Sequence, residues 1–166
     1  MRFHVLAVAA TAITLGACAG GDKAAENTTT DTAAAVATPA ATPAATAGTA
    51  APITGTTHEV KMVGDAQGYR FEPANITVKA GDGIKFTMVS GGPHNVAFDG
   101  TNAAVAAAKA QLDANISEKM GELSSAMKMN AGETITVSFA NIAPGSYPFN
   151  CTPHLAMGMK GVVTVQ

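Results

Sequence analysis

Four residues with metal-binding side chains stand at two separate places in the chain. Cys151, His154 and Met159 lie close together, and His94 lies far upstream. A thiolate, two imidazoles and a weak axial thioether form the ligand set of a blue-copper electron-transfer site. Because Cys151 and His154 are only three residues apart, they belong to one loop, and His94 must arrive from another strand. The spacing therefore predicts a copper site that closes only when the domain folds.

Two methionines of the loop could supply the axial thioether. Met159 lies five residues after His154, and Met157 lies two residues nearer. Methionine also serves as a flexible filler of apolar gaps, and a cysteine can be a buried inert thiol. The residue types alone leave both methionines open as axial ligands.

The two motifs together resemble those of the plastocyanins, within the cupredoxin family. These motifs are Cys-x-x-His-x-x-x-x-Met-x-Gly and, upstream of it, Pro-His-Asn-Val. The similarity extends over about residues 56–166, apart from one insertion. It implies a Greek-key antiparallel β-sandwich and one type 1 copper ion, with Met159 rather than Met157 as the axial ligand. The implied ligands are His94, Cys151, His154 and Met159.

The resemblance also implies roles for residues beside the ligands. The backbone amide of Asn95 would donate to the sulfur of Cys151, and the Asn95 side chain would tie its loop to the region of Thr152. Pro93 has no amide to donate, and Pro153 stiffens the ligand loop. We therefore expect these four neighbours to shape the copper site.

One departure from the plastocyanin pattern affects the docking surface. Plastocyanins carry a tyrosine just before the cysteine, as part of a remote electron-entry surface, and this chain has Asn150 there. The remaining route is the apolar surface around His154. Leu155, Ala156 and Met157 are predicted to line it, and an exposed apolar patch of this kind marks a docking site.

Short runs with strand character occupy most of residues 56–166. Alternation of apolar and polar residues is clear in Ile135-Thr136-Val137-Ser138-Phe139, and turns rich in Gly and Pro separate the runs. Many short strands with regular turns indicate an all-β sandwich. The predicted strands cover residues 58–63, 74–79, 84–89, 94–98, 134–139, 145–150 and 161–165.

Residues 102–129 break this pattern and are the insertion relative to the plastocyanins. Apolar side chains recur there at spacings of three and four, which is typical of one face of a helix. Thr101 or Asn102 could cap its start, and Asn115 or Ser117 could start a second helix, so one helix or two remains open. We interpret the segment as helical structure that covers one face of the sandwich, in preference to a partner-docking element.

The first part of the chain has the pattern of an exported and anchored protein. In residues 1–17, Arg2 precedes an apolar run too short to span a membrane. The run ends in Leu-Gly-Ala-Cys18, which resembles a bacterial lipobox in which Cys18 is acylated; an ordinary signal peptide is the alternative. Residues 18–55 would then be the lipidated cysteine and a disordered tether rich in Ala, Thr and Pro, and residues 56–166 the folded domain.

Charge and histidine count limit the possible functions. The net charge is −2, and no basic stripe indicates nucleic acid. After the leader the histidines are His58, His94 and His154, too few for a second copper centre, so we expect no enzymatic activity.

The expected function combines these observations. We expect a monomeric, lipid-anchored electron carrier facing the periplasm of a bacterial envelope, on the inner or the outer membrane. Its partners would be redox proteins such as a c-type cytochrome or a membrane oxidoreductase. A copper chaperone or storage protein is the alternative.

Overall fold

The computed structural model describes residues 49–166, which fold into two β-sheets with one α-helix. No helix in this range is long and apolar enough to cross a membrane. In chain order the elements are β1 (Thr57–Asp65), β2 (Gly68–Glu72), β3 (Asn75–Val78), β4 (Gly83–Met88), β5 (Ala97–Phe98), α1 (Ala103–Ala114), β6 (Lys119–Gly121), β7 (Ser124–Ser125), β8 (Thr134–Ser138), β9 (Gly145–Asn150), a 3₁₀-helix (Thr152–Met157) and β10 (Lys160–Val165).

The order of the strands explains why the chain crosses between the sheets. One sheet has the order β2-β1-β4-β8 and the other β3-β10-β9-β5-β7-β6. Within them β1 pairs in parallel with β4 and β3 in parallel with β10, and the other pairs are antiparallel. Parallel neighbours cannot be joined by a hairpin, so the chain leaves for the opposite sheet between them. The predicted all-β sandwich is confirmed, with two parallel pairs that the sequence did not indicate.

A cluster of phenylalanines joins the two sheets. The ring of Phe149 lies 4.8 Å from that of Phe71, 5.4 Å from that of Phe86 and 6.0 Å from that of Phe98, measured between centroids. Phe71 and Phe86 belong to one sheet, whereas Phe98 and Phe149 belong to the other. All four side chains are buried. Phe149 therefore lies at the centre of the contact that holds the sandwich together, and Cys151 follows it two positions later.

The helix of the insertion is shorter than predicted. It spans Ala103–Ala114, and Asn102 caps it by accepting hydrogen bonds from the backbone N–H groups of Ala104 and Val105. Beyond the helix the chain forms β6 and β7 at the edge of the second sheet. The prediction of helical structure as far as Met129 is therefore wrong for the second half of residues 102–129, and there is one helix.

Two features of the second half explain why the helix stops. The Asn115 side chain is buried and donates to the carbonyls of Ser138 and Ala140, at 2.9 and 3.0 Å, which fixes the chain against the end of β8. The backbones of Glu118 and Leu123 have φ values of +48° and +55°. A left-handed backbone is incompatible with a continuous right-handed helix. The apolar spacing beyond Asn115 therefore belongs to a hairpin.

The folded domain begins before the predicted boundary. The N–H groups of Thr54 and Gly55 both donate to the carbonyl of Gly81 at 2.9 Å. Ile53 packs so closely on Gly83 that a Cβ there would lie 2.1 Å from Ile53 Cδ1. The prediction of a disordered tether as far as Gly55 is therefore wrong for the last residues of that segment. The signal peptide, the acylation of Cys18 and the tether up to residue 48 lie outside the described residues.

Asp82 connects this first segment to β1 and to the turn before β4. Its carboxylate accepts hydrogen bonds from the backbone N–H of Lys79 (2.9 Å), from His58 Nε2 (3.0 Å) and from the backbone N–H of Thr56 (2.8 Å). In that order of importance, these donors lower the pKa of Asp82 to about 2.

We predict that Asp82 makes the domain sensitive to acid. A carboxylate whose pKa is depressed in the folded state contributes stability above its ordinary pKa of about 3.9 and loses it as the pH falls towards the folded value. Melting temperature measured from pH 6 to pH 2 should therefore fall in the lower half of that range. Asp82→Asn should have a lower melting temperature at pH 6 and a shallower decline in acid. An equally steep decline in this variant would exclude Asp82 as the cause.

Candidate metal centre

The ligand loop is a 3₁₀-helix closed at its base by hydrogen bonds. Cys151 directly follows β9, and Met159 directly precedes β10. The backbone N–H of Cys151 donates to the carbonyl of Met159 at 3.0 Å, and the N–H of Met159 donates to the carbonyl of His154 at 3.2 Å. Pro153 lies in the first turn of the 3₁₀-helix, and Gly158, with φ of +83°, ends it. The two paired strands therefore hold both ends of the loop in place.

Three predicted ligands converge on one buried point. Cys151 Sγ lies 3.5 Å from His94 Nδ1 and 3.4 Å from His154 Nδ1. The three donor atoms all lie within 4.8 Å of one another, and all three residues are buried. His94 reaches the loop from the segment between β4 and β5, 57 residues upstream of Cys151. A soft thiolate and two imidazole nitrogens around a common point are a donor set that fits copper.

The two methionines of the loop differ in burial. Met159 is fully buried, whereas Met157 is 61% exposed. An axial ligand must approach the buried thiolate and imidazoles, so burial favours Met159 for that position. Met157, by contrast, presents its thioether to solvent beside the site.

We predict that the two methionines have different effects on the reduction potential. Met159→Leu should keep the blue absorption and raise the potential, because a weak donor to Cu(II) is lost. Met157→Leu, the matched control in the same loop, should shift the potential little. Voltammetry of the two copper-loaded variants measures both. A larger shift in Met157→Leu would assign the axial position to that residue.

A backbone carbonyl orients the ring of His94. His94 Nε2 lies 2.8 Å from the carbonyl oxygen of Ser90. Because a carbonyl only accepts, Nε2 carries the proton, which leaves the lone pair of Nδ1 for a metal. Sequence reasoning missed this role of Ser90, since the contact with His94 uses the backbone carbonyl and is independent of the side chain.

Asn95 joins the two ligand-bearing segments. Its side chain donates to Thr152 Oγ1 at 3.1 Å and to Ser124 Oγ at 3.1 Å, and its Oδ1 accepts from the backbone N–H of Thr152 at 2.7 Å. Burial raises the pKa of the Cys151 thiol, while the N–H groups of Asn95 and His154 act in the opposite direction. The structure thus places Asn95 and Thr152 in the contact that the resemblance implies, with Ser124 as an additional partner. Pro93 directly precedes His94 in the chain.

An aromatic ring covers the second imidazole. Tyr69, in β2, stacks on His154 with 3.7 Å between ring centroids and an interplanar angle of 14°. Gly64 makes room for this ring, since a Cβ at that position would lie 2.7 Å from Tyr69 Cε1. Burial, followed by an electrostatic contribution from His94, lowers the pKa of His154, which favours the neutral imidazole that a metal requires. Sequence reasoning missed both Tyr69 and β2, although Tyr69 and Phe71 alternate with polar residues there.

Comparisons with known proteins find relatives of this chain among the plastocyanins. The family model for copper binding proteins of the plastocyanin/azurin family matches residues 58–166. The plastocyanin of Nostoc punctiforme is 39% identical over 111 residues, which cover 66% of this chain and 74% of that protein. The plastocyanin of Rumex obtusifolius is 36% identical over 109 residues, 65% of this chain and 99% of that protein. The solved structure of oxidised plastocyanin from Dryopteris crassirhizoma has 32% identity and a TM-score of 0.49, and covers 65% of this chain and 99% of that one.

The region matched by the family model contains everything that forms the centre. It includes His94 with its Ser90 contact, the loop from Cys151 to Met159, and nearly all of both sheets. The donor set and its burial fit a single copper ion. This plastocyanin-like chain therefore belongs to the plastocyanin/azurin family of copper-binding proteins, and copper is its metal.

Proposed function

We propose that the domain is a one-electron carrier that exchanges electrons with other redox proteins. The observation that carries the proposal is the set of Cys151, His94 and His154, whose donor atoms lie close together at one buried point. Bound copper supplies a one-electron couple between Cu(II) and Cu(I). The protein keeps the ligands in place: Ser90 fixes His94, Tyr69 stacks on His154, and two strands hold the loop ends. Ligands held by such contacts keep the reorganisation that accompanies each electron transfer small.

We propose that partners dock on the apolar surface beside His154. Leu155, Ala156 and Met157 follow this ligand in the 3₁₀-helix and are exposed, Leu155 to 51% and Met157 to 61%. His154 is 6% exposed, so this ligand connects the buried centre to the adjoining surface. Near-neutral net charge implies weak electrostatic steering, and an apolar patch permits brief, desolvated contact. A c-type cytochrome or a membrane oxidoreductase is a partner of the right class.

A charge placed on the docking surface should test the proposal. We predict that Leu155→Glu slows electron exchange with a c-type cytochrome at least several-fold and leaves the visible spectrum intact, because a carboxylate must be desolvated on contact. Met120→Glu is the matched control, since Met120 is 58% exposed but lies on the edge strand β6. Stopped-flow rates at low and high salt should also show only a modest salt dependence. Equal rates in Leu155→Glu and wild type would place the docking surface elsewhere.

We also propose that the domain is held at a bacterial membrane through Cys18 and faces the periplasm. The support is the Arg2, apolar-run and Leu-Gly-Ala-Cys pattern of the leader. Two or more acyl chains provide stable anchoring. Full-length protein should sediment with membranes, and Cys18→Ala should release or mislocalise it. Mass spectrometry of the mature N-terminus decides the matter, because an unmodified terminus beyond Cys18 is incompatible with a lipid anchor.

A copper chaperone or storage protein is the second candidate. Its support is the set of exposed thioethers, since Met120, Met129 and Met157 are each at least 58% exposed and thioether sulfur is a soft ligand for Cu(I). The buried ligand set favours the electron carrier, because a chaperone must release its metal. Slow loss of Cu(I) to a competing chelator would support the carrier, and rapid transfer would support the chaperone.

A further inference from the structure

We infer that Lys128 raises the reduction potential of the copper centre by placing a buried positive charge beside His94, with Glu118 as its counter-ion. The inference deepens the proposed electron-carrier function and rests on it, since it concerns how strongly the centre holds an electron. Neither residue belongs to the ligand loop or to the segments that carry the family motifs. Both lie in the second half of the insertion, which the structure shows to be a hairpin.

Backbone hydrogen bonds place Lys128 directly opposite His94. The N–H of His94 donates to the carbonyl of Lys128 at 3.0 Å, and the N–H of Lys128 donates to the carbonyl of His94 at 2.7 Å. Two residues that exchange both bonds form an antiparallel pair, and their side chains leave the backbone on the same face. Their Cβ atoms are then about 5 Å apart. The stem of Lys128 therefore starts beside the imidazole that supplies Nδ1 to the site.

Lys128 and Glu118 form an ion pair in which the ammonium group is buried and the carboxylate is exposed. Lys128 is 7% exposed, and its Nζ lies 2.7 Å from Glu118 Oε2, whose side chain is 63% exposed. A buried lysine is rare unless it is paired. Water and salt screen the exposed carboxylate more than the buried ammonium. The pair as a whole therefore presents more positive than negative field to the neighbouring metal centre.

The other ion-paired lysines of residues 49–166 lack this arrangement. The side chains of Lys85, Lys109 and Lys119 are 40% or more exposed in their pairs with carboxylates. Lys109 pairs with Glu122 at 2.8 Å and lies on α1, so it carries the same charge in a pair of similar length but in solvent. It provides a matched control for the loss of one positive charge.

The sign of the effect follows from the charge of the two redox states. The oxidised centre carries one more positive charge than the reduced centre, so a nearby ammonium disfavours oxidation and raises the potential. A nearby carboxylate acts in the opposite sense. Besides Glu118, this applies to Glu133, whose carboxylate accepts from the backbone N–H groups of Asn130 and Met129 close to Lys128. Lys128 and Glu118 should therefore shift the potential in opposite directions when each is neutralised.

Voltammetry of copper-loaded variants tests the inference. Lys128→Met should lower the potential, Glu118→Gln should raise it, and Lys128→Arg should leave it close to wild type. Lys109→Met should shift it much less than Lys128→Met. Absorption and EPR spectra of the oxidised forms, with thermal unfolding of the copper-free forms, should show intact ligation and folding. If Lys128→Met folds poorly, Lys128→Gln, which can keep a hydrogen bond to Glu118, takes its place and should likewise lower the potential.

The outcomes separate this inference from the proposed function. Shifts of the same sign in Lys128→Met and Glu118→Gln would indicate a purely structural role for the pair and overturn the inference. So would a Lys128→Met shift no larger than that of Lys109→Met. A wild-type protein that binds copper but gives no reversible one-electron wave would instead overturn the electron-carrier function.

Discussion

Replacing Cys151 with serine should abolish the blue absorption of the copper-loaded domain. The colour of such a site arises from charge transfer between the thiolate and Cu(II), and a hydroxyl cannot supply it. The substitution is nearly isosteric at a fully buried position, so the sandwich should survive. The two imidazoles remain and could still bind a metal, which would then give a weak, pale spectrum.

The experiment is an absorption and EPR spectrum of the wild type and of Cys151→Ser after loading with one equivalent of copper. Thermal unfolding of the two copper-free proteins serves as the folding control. Intense red-end absorption that persists in the variant would show that Cys151 is not the thiolate. Thr152→Ser, which keeps the hydroxyl that Asn95 contacts, should stay blue.

Phe149→Ala should cause the largest loss of stability among single core substitutions. Truncating a buried phenylalanine costs about 3–5 kcal/mol, as lost transfer free energy plus the cavity left behind. Phe149 belongs to one sheet and contacts rings of the other, at centroid distances of 4.8 Å to Phe71 and 5.4 Å to Phe86, so the cavity cannot close without moving one sheet. A domain of this size is stable by about 5–15 kcal/mol in total. The substitution would therefore remove between about a fifth of that stability and all of it.

Urea unfolding of the copper-free protein at neutral pH measures this loss. Leu155→Ala is a suitable control, because the side chain is 51% exposed and surface changes stay within about 0.5 kcal/mol. A loss below about 1 kcal/mol in Phe149→Ala would mean that the two sheets are held together elsewhere. In both variants, the copper-loaded protein should have a smaller unfolded fraction than the copper-free protein at the same urea concentration, because metal binding to the native state adds stability.

The sequence allowed prediction of those features whose residues stand close together in the chain, namely the ligand loop and most of the strands. Cys151 and His154 stand in one loop, and their spacing becomes a specific signal of a metal site only together with His94 and its neighbours. Alternation revealed most strands, because each has one face on the core. The roles of Tyr69 and Ser90 were not predicted, because their contacts with the histidines form only in the folded structure. Tyr69 stacks on His154 from a distant strand, and Ser90 contacts His94 through its backbone carbonyl.

The hairpin after α1 shows a different limit. Apolar residues at spacings of three and four occur in a helix, but they also occur where a bulged strand and a turn succeed one another, as around Leu123. Glu118 and Leu123 adopt left-handed backbone angles without being glycine, so no turn signal marks the change. The segment at Ile53 was missed for the opposite reason, since one large apolar residue among alanines and threonines is enough to attach it to the fold.

Strand β1, which pairs in parallel with β4, runs from the entry of the folded chain at one end of the domain to the metal centre at the other. The chain enters beside Gly81, where Thr54 and Gly55 are bound, and β1 then runs to Gly64, whose N–H donates to the carbonyl of Ser90 beside the metal centre. At about 3.3 Å per residue, the entry point and the ligands are separated by roughly 25 Å. A domain immobilised on a solid support through the residues before Ala51 would therefore present the copper end outward. On an electrode this orientation would suppress direct current and leave a dissolved protein free to collect the electron, whereas attachment at Leu155 would do the reverse.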